Sequence, residues 1–127
     1  MPTPLALDYV VLRIVPRVAR EEFVNTGVIL YAPTVRFLGC RIALDARRVR
    51  ALDPGADVAA IEQHLDGVRA VCEGAAAAGE LARLTATERF QWLAAPRSTV
   101  IQPSPIRTGV CQDPLTALAE LFVELVG

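Results

Sequence analysis

The chain has 127 residues, 53% of them hydrophobic and 21% charged, with 13 basic against 14 acidic side chains and a formal net charge of −1. That composition fits one domain over 1–127 with a core of its own and excludes a disordered or fibrous chain. It offers no general attraction to nucleic acid or to an anionic membrane, and no stretch approaches the roughly eighteen apolar residues that a membrane helix requires.

The first element is a strand over Asp8–Val15, "DYVVLRIV", β-branched and aromatic and closed by Pro16, which cannot donate to a ladder. "PRVAREE" turns the chain, and Phe23–Ala32 reads as a second strand. Gly27 inside it signals a bulge or a close backbone approach. Beyond Pro33 and Thr34, Val35–Leu44 alternates as a third strand, with Leu38, Cys40, Ile42 and Leu44 facing one way. Short connections join the three into an antiparallel meander.

Helical patterning follows. Asp45 caps a short helix that stops before Pro54. From Asp57 onward Val58, Ile61, Leu65, Val68 and Cys72 recur at three- and four-residue steps, the apolar stripe of an amphipathic helix. That helix ends somewhere across "GAAAAG". Thr85 and Glu88 form a capping box for a helix over Ala86–Ala95 with Phe90 and Leu93 inward. "STVIQPSPIRTGVC" is extended, interrupted by Pro103 and Pro105, and supplies one edge strand or two short ones. Asp113 and Pro114 open a last helix with Leu115, Leu118, Leu121, Phe122 and Leu125 as its buried face. Strands first and helices later define an α+β domain, a mainly antiparallel sheet with helices on one face.

Chemistry-bearing motifs are scarce. There is no phosphate-binding glycine loop, nucleophile elbow or zinc-spaced cysteine pair. Cys40, Cys72 and Cys111 lie far apart with a single histidine, His64, so they read as reduced cysteines of a cytoplasmic protein, with no metal and no cofactor expected. The N-terminus lacks the pattern of a secretory leader, since Asp8 and Arg13 interrupt its apolar run. The total lack of lysine reflects codon usage before it reflects anion binding. The Arg47, Arg48 and Arg50 run reads as a solvated helix face, which makes a nucleic-acid partner unexpected.

Two polar groupings are candidate ligand- or partner-binding sites. One is Arg17, Arg20, Glu21, Glu22 and Asn25 around the entry to the second strand. Paired carboxylates split their pKa values and serve as acid and base, yet adjacent strand residues point to opposite faces. Alternation puts Glu21 with Phe23 and Asn25, and Glu22 with Val24 and Thr26, leaving one acid per face. For Asn25 the competing role is an amide that bonds backbone beside a bulge at Gly27. The other grouping is Gln102, Ser104, Arg107 and Thr108 in "QPSPIRTG", either a stiffened contact strand or an edge guarded by proline. No catalytic set is complete.

Taken in order, "REEFVNTGVILY", "LDARRVRALDPGAD", "TATERFQWL", "VIQPSPIRTG" and "DPLTALAELF" resemble the bacterial family catalogued as domain of unknown function 3037, over nearly the whole chain. Its most specific parts are the E-x-x-N-x-G spacing of Glu22, Asn25 and Gly27 and the "QPSP" segment. The resemblance carries over no catalytic residue. It implies an accessory protein encoded beside kinases of the HipA-like persistence-toxin type, hence a protein-association module or modulator. The alternative is an enzyme or a binder of a phosphate-bearing or nucleotide-like ligand, using Glu22, Asn25 and Arg107.

Overall fold

The computed structural model describes residues 3–127. Strands β1 (Leu5–Ile14), β2 (Val24–Ala32) and β3 (Phe37–Ile42) come first. Helices α1 (Ala46–Leu52), α2 (Val58–Glu73) and α3 (Ala86–Ala94) follow, then β4 (Ile101–Pro103), β5 (Arg107–Cys111) and helix α4 (Pro114–Leu125). The class is α+β, with an antiparallel five-stranded sheet in the order β3-β2-β1-β4 and β5 also paired to β1.

The three-stranded meander forms as its alternation predicts, and β1 becomes the central strand. Its Asp8–Ile14 segment pairs with β2. On the opposite edge β4 pairs with Leu12–Ile14 and β5 with Leu5–Tyr9. The proline-interrupted segment therefore resolves into two short strands laid end to end along one edge of β1.

Alternation divides the sheet into two faces. Val10, Leu12 and Ile14 of β1, Ile29 and Tyr31 of β2, and Leu38, Cys40 and Ile42 of β3 pack with Val49, Ile61, Leu65, Cys72, Phe90 and Leu93 from α1, α2 and α3. Each large aliphatic chain fully buried there contributes about 1.5–3 kcal/mol. Leu7, Val28, Leu30, Ala32 and Phe37 point the other way and meet Leu118, Leu121 and Leu125 of α4. The expectation of helices on one face thus holds for α1–α3 and is corrected for α4, which covers the opposite face. A helical period identifies a buried stripe but not which side of a sheet receives it. Within that stripe Leu115 is exposed, at 64%, while its neighbour Pro114 in the same first turn is buried.

Local signals account for the boundaries. Asp45 accepts from the Arg47 and Arg48 amides, Asp57 from Ala60 and Asp113 from Thr116. Thr85 and Glu88 satisfy each other's amides in the capping box. Gly74, left-handed at φ 65°, ends α2, so only the first glycine of "GAAAAG" is the stop. Ala76–Arg83 winds as 3-10 helix broken at Gly79.

Both readings of Gly27 are realised. The β1–β2 register passes from Leu12 opposite Gly27 to Arg13 opposite Asn25, which makes Thr26 the extra residue of a bulge. A Cβ on Gly27 would also stand 2.8 Å from Ile42 Cγ1 and 2.9 Å from the Arg41 carbonyl oxygen of β3. Backbone cannot give way as a flexible side chain does. Gly27→Ala is therefore expected to destabilise the fold by about 1–3 kcal/mol, read as a lower urea midpoint with unchanged slope.

Candidate functional site

The polar segments converge on the two bulges flanking β1. At the first, buried Thr26 donates its hydroxyl to the Ala43 carbonyl at 3.0 Å, and its own carbonyl accepts from the Ala43 amide at 2.9 Å. At the second, three residues, Ser104 to Ile106, lie opposite Val10 and Val11. Proline at 105 has no amide to give. Ser104 bridges the gap alone: its amide donates to the Val11 carbonyl at 2.8 Å, and its Oγ accepts from the Val11 amide at 2.8 Å. The same hydroxyl donates to the Pro105 carbonyl at 3.0 Å. The "QPSP" motif is thus a ladder repair, and Ser104, 2% exposed, commits its hydroxyl to backbone both as acceptor and as donor.

The other candidate residues separate. Glu21 sits in the left-handed region at φ 58° and ends a 3-10 turn over Val18–Arg20. That reversal splays the adjacent carboxylates apart. Glu22 pairs with Arg20 at 2.7 Å, both largely solvated, an ion pair worth about 0–1 kcal/mol. Asn25 does bond backbone, though not at its own bulge: its Nδ2 donates to the Leu125 carbonyl at 3.1 Å, tying down the last turn of α4. Arg48 adds a bond to the Val126 carbonyl at 3.2 Å, which turns part of the Arg47–Arg50 face into a clamp on the C-terminus. Gln102 donates to the Thr99 carbonyl at 2.8 Å. Arg107, exposed on β5, stands opposite Tyr9.

Register nonetheless puts several of these side chains on one face. Arg13 lies opposite both Asn25 and Gln102, and Tyr9, on the same side of β1, lies opposite Arg107. This is the α4 face, and Arg13, Asn25 and Gln102 lie on it at the C-terminal end of α4, while Tyr9 packs beside that helix. A hollow of about 370 Å³ opens there, lined by Arg13, Glu21, Phe23, Ser98 and Gln102 over Val15 and Val18. Arg13 lies with its guanidinium 4.2 Å from the Phe23 ring centroid, a cation–π contact worth about 0.5–1 kcal/mol at an exposed ring. Burial, and after it the charge of Arg107, lower the Arg13 pKa from its ordinary value. Neither Arg13 nor Phe23 stands out in the sequence. The signal was there in "VVLRIV", where Arg13 is the one charge inside an otherwise apolar run.

A second cleft, of about 410 Å³, lies along α2 among Val68, Val71, Leu81 and Ile101, with His64, Trp92 and Arg97 at its rim. Arg97 stacks on Trp92 at 4.3 Å and donates to its carbonyl at 2.6 Å. These groups are bound to one another, and His64 is an exposed helix residue. Cys40 and Cys72 meet within the core under α2, where the Cys40 contact and burial push the Cys72 thiol up and keep it protonated. Among the described residues no three His, Cys, Asp or Glu side chains gather as metal ligands do, and no helix is long and apolar enough to cross a membrane.

Fold and site define a small α+β domain whose polar residues serve mainly the sheet's irregularities, with one cationic hollow beside them. The chain belongs to the family described as protein of unknown function (DUF3037), whose model matches residues 9–126. No curated protein and no solved structure matches it.

Ser104→Ala leaves the buried Val11 amide without its acceptor, which costs about 1–3 kcal/mol. The expected signature is a lower denaturation midpoint together with faster hydrogen exchange at the Val11 amide.

Proposed function

We propose that this domain works by protein association, receiving an extended segment of a partner along the outer edge of β5. One observation carries the reading. Among the described residues β5 bonds to β1 and to no other strand, and Arg107–Val110 are exposed throughout. Val110 is 72% and Ile106 52% exposed. The sheet's other outer strand, β3, is half-buried between α2 and α4. Natural edges are blunted by lysine, proline or a covering element. β4 has its prolines, while β5 has only the charge of Arg107 at its start, and Thr108–Val110 carry neither charge nor proline. An added strand would gain main-chain hydrogen bonds along β5 and apolar contact at Val110.

The partner put first is a HipA-like kinase encoded nearby, the association that the family resemblance implies. In this reading the complex is cytoplasmic, consistent with three free thiols.

Co-expression with that kinase is expected to give a complex on size exclusion at micromolar concentration. Val110→Lys, which puts a charge on the edge, is expected to weaken it about tenfold or more while leaving the melting temperature unchanged. Absence of a complex, or a complex indifferent to Val110→Lys, overturns the proposal. So does a dimer of the chain alone that Val110→Lys dissolves, since the edge then serves self-association.

A further inference from the structure

Arg13 is out of place in its strand. Its neighbours Val10, Val11, Leu12, Ile14 and Val15 are all buried apolar residues, and a charge held among them loses hydration that an ion pair normally restores. Arg17, Arg20, Arg48 and Arg69 each have a carboxylate within 4 Å. Among the described residues Arg13 has none, and its Nε is buried without a hydrogen-bond partner. A second cation, Arg107, stands farther along the same face and opposes its charge.

Stacking explains how Arg13 is held there but not what it serves. The Phe23 ring covers one face of the guanidinium and leaves the edge, which carries the N–H groups, free to bond in plane. The hollow that this edge adjoins also holds the Ser98 hydroxyl and the Gln102 amide, neutral groups able to donate. Within the lining Arg13 offsets the one carboxylate, Glu21, and Arg107, on the same face but outside the lining, tips the balance positive. A metal ion would be repelled, and an apolar ligand would find too few carbon surfaces. Glu22 takes no part, being paired with Arg20, and Asn25 holds α4 through its Nδ2 while its Oδ1 is buried without a partner opposite Arg13.

We propose that this hollow is a binding site for a small oxyanion, a phosphate ester or a carboxylate, held edge-on by Arg13 with Arg107 as second cation and Ser98 and Gln102 as neutral donors. Glu21 at the rim opposes the ligand's charge and limits its affinity. The site lies on the sheet face and shares only Arg107 with the β5 edge, and since it turns on Arg13 and the edge on Val110, either proposal can fail alone.

The test is a titration of the purified chain with inorganic phosphate and, separately, with sodium acetate, each against sodium chloride at matched ionic strength. Binding is followed through the arginine Nε–H resonances. A saturable shift of the Arg13 signal is expected with at least one of the two probes and not with chloride. Saturation by phosphate alone assigns a phosphate ester, and saturation by acetate alone a carboxylate. Arg107→Ala is expected to weaken binding about fivefold and Glu21→Gln to tighten it about threefold, since each changes one charge near a partly solvated site. Arg13→Met, which keeps the stem against Phe23, is expected to abolish it. Should Arg13→Met not fold, the exposed Arg107→Ala and Glu21→Gln variants decide the matter. Shifts that follow ionic strength alone, or binding unchanged in both of those variants, overturn the proposal.

Discussion

Everything in this fold hangs on pairing both edges of β1 while each neighbouring strand carries one residue too many. Val10, Leu12 and Ile14 lie under the helices at 0–1% exposure, where an unmet backbone amide costs as much as a lost hydrogen bond. The extra residues fall side by side, Thr26 opposite the Leu12–Arg13 step and the Ser104–Ile106 segment opposite Val10–Val11. Each is settled by a hydroxyl: Thr26 bonds outward to Ala43, Ser104 inward to Val11. Glycine at 27 lets β3 close over the first irregularity.

The irregularities also organise the surface. A bulge bends its strand and re-aims the side chains beside it. Past the bulges the α4 face is no longer covered by helix, and its composition changes with its environment. Leu7, Val28 and Leu30 lie beneath α4, whereas Arg13, Asn25 and Gln102 occupy the stretch beyond it. Two contacts mark the boundary: Asn25 holding the Leu125 carbonyl, and Arg41 stacked on Phe122 at 5.2 Å. The polar cluster is what an antiparallel sheet carries where it faces water.

What the sequence made legible was local. Alternation located β2 and β3, aspartates and a Thr-x-x-Glu box marked helix starts, and Gly27 announced its bulge, because each is decided by a few neighbouring residues. What stayed hidden depends on register. Two adjacent carboxylates say nothing about the left-handed turn at Glu21 that parts them. "QPSP" looks equally like a contact strand and a guarded edge until Ser104 is seen opposite Val11, 93 residues away. Arg13 looked like a break in an apolar run, and only its alignment with Asn25 on one side and Gln102 on the other gathers it into a site. The face taken by α4 was hidden for the same reason, since both faces of β1 and β2 are apolar there.

The ladder repair at Ser104 has a consequence for synthesis. β1 emerges from the ribosome first, and the residues that complete its second edge, 101–111, emerge in the last quarter of the chain. Until then the meander can form and α1–α3 can cover one of its faces, but the other edge of β1 stays open, an invitation to pair with a neighbouring nascent chain. Closing that gap requires contacts of long sequence separation, the slow kind. The prolines at 103 and 105 bear on this interval, because they keep the late segment extended while weakening its ability to pair with anything but the strand whose bulge it fits.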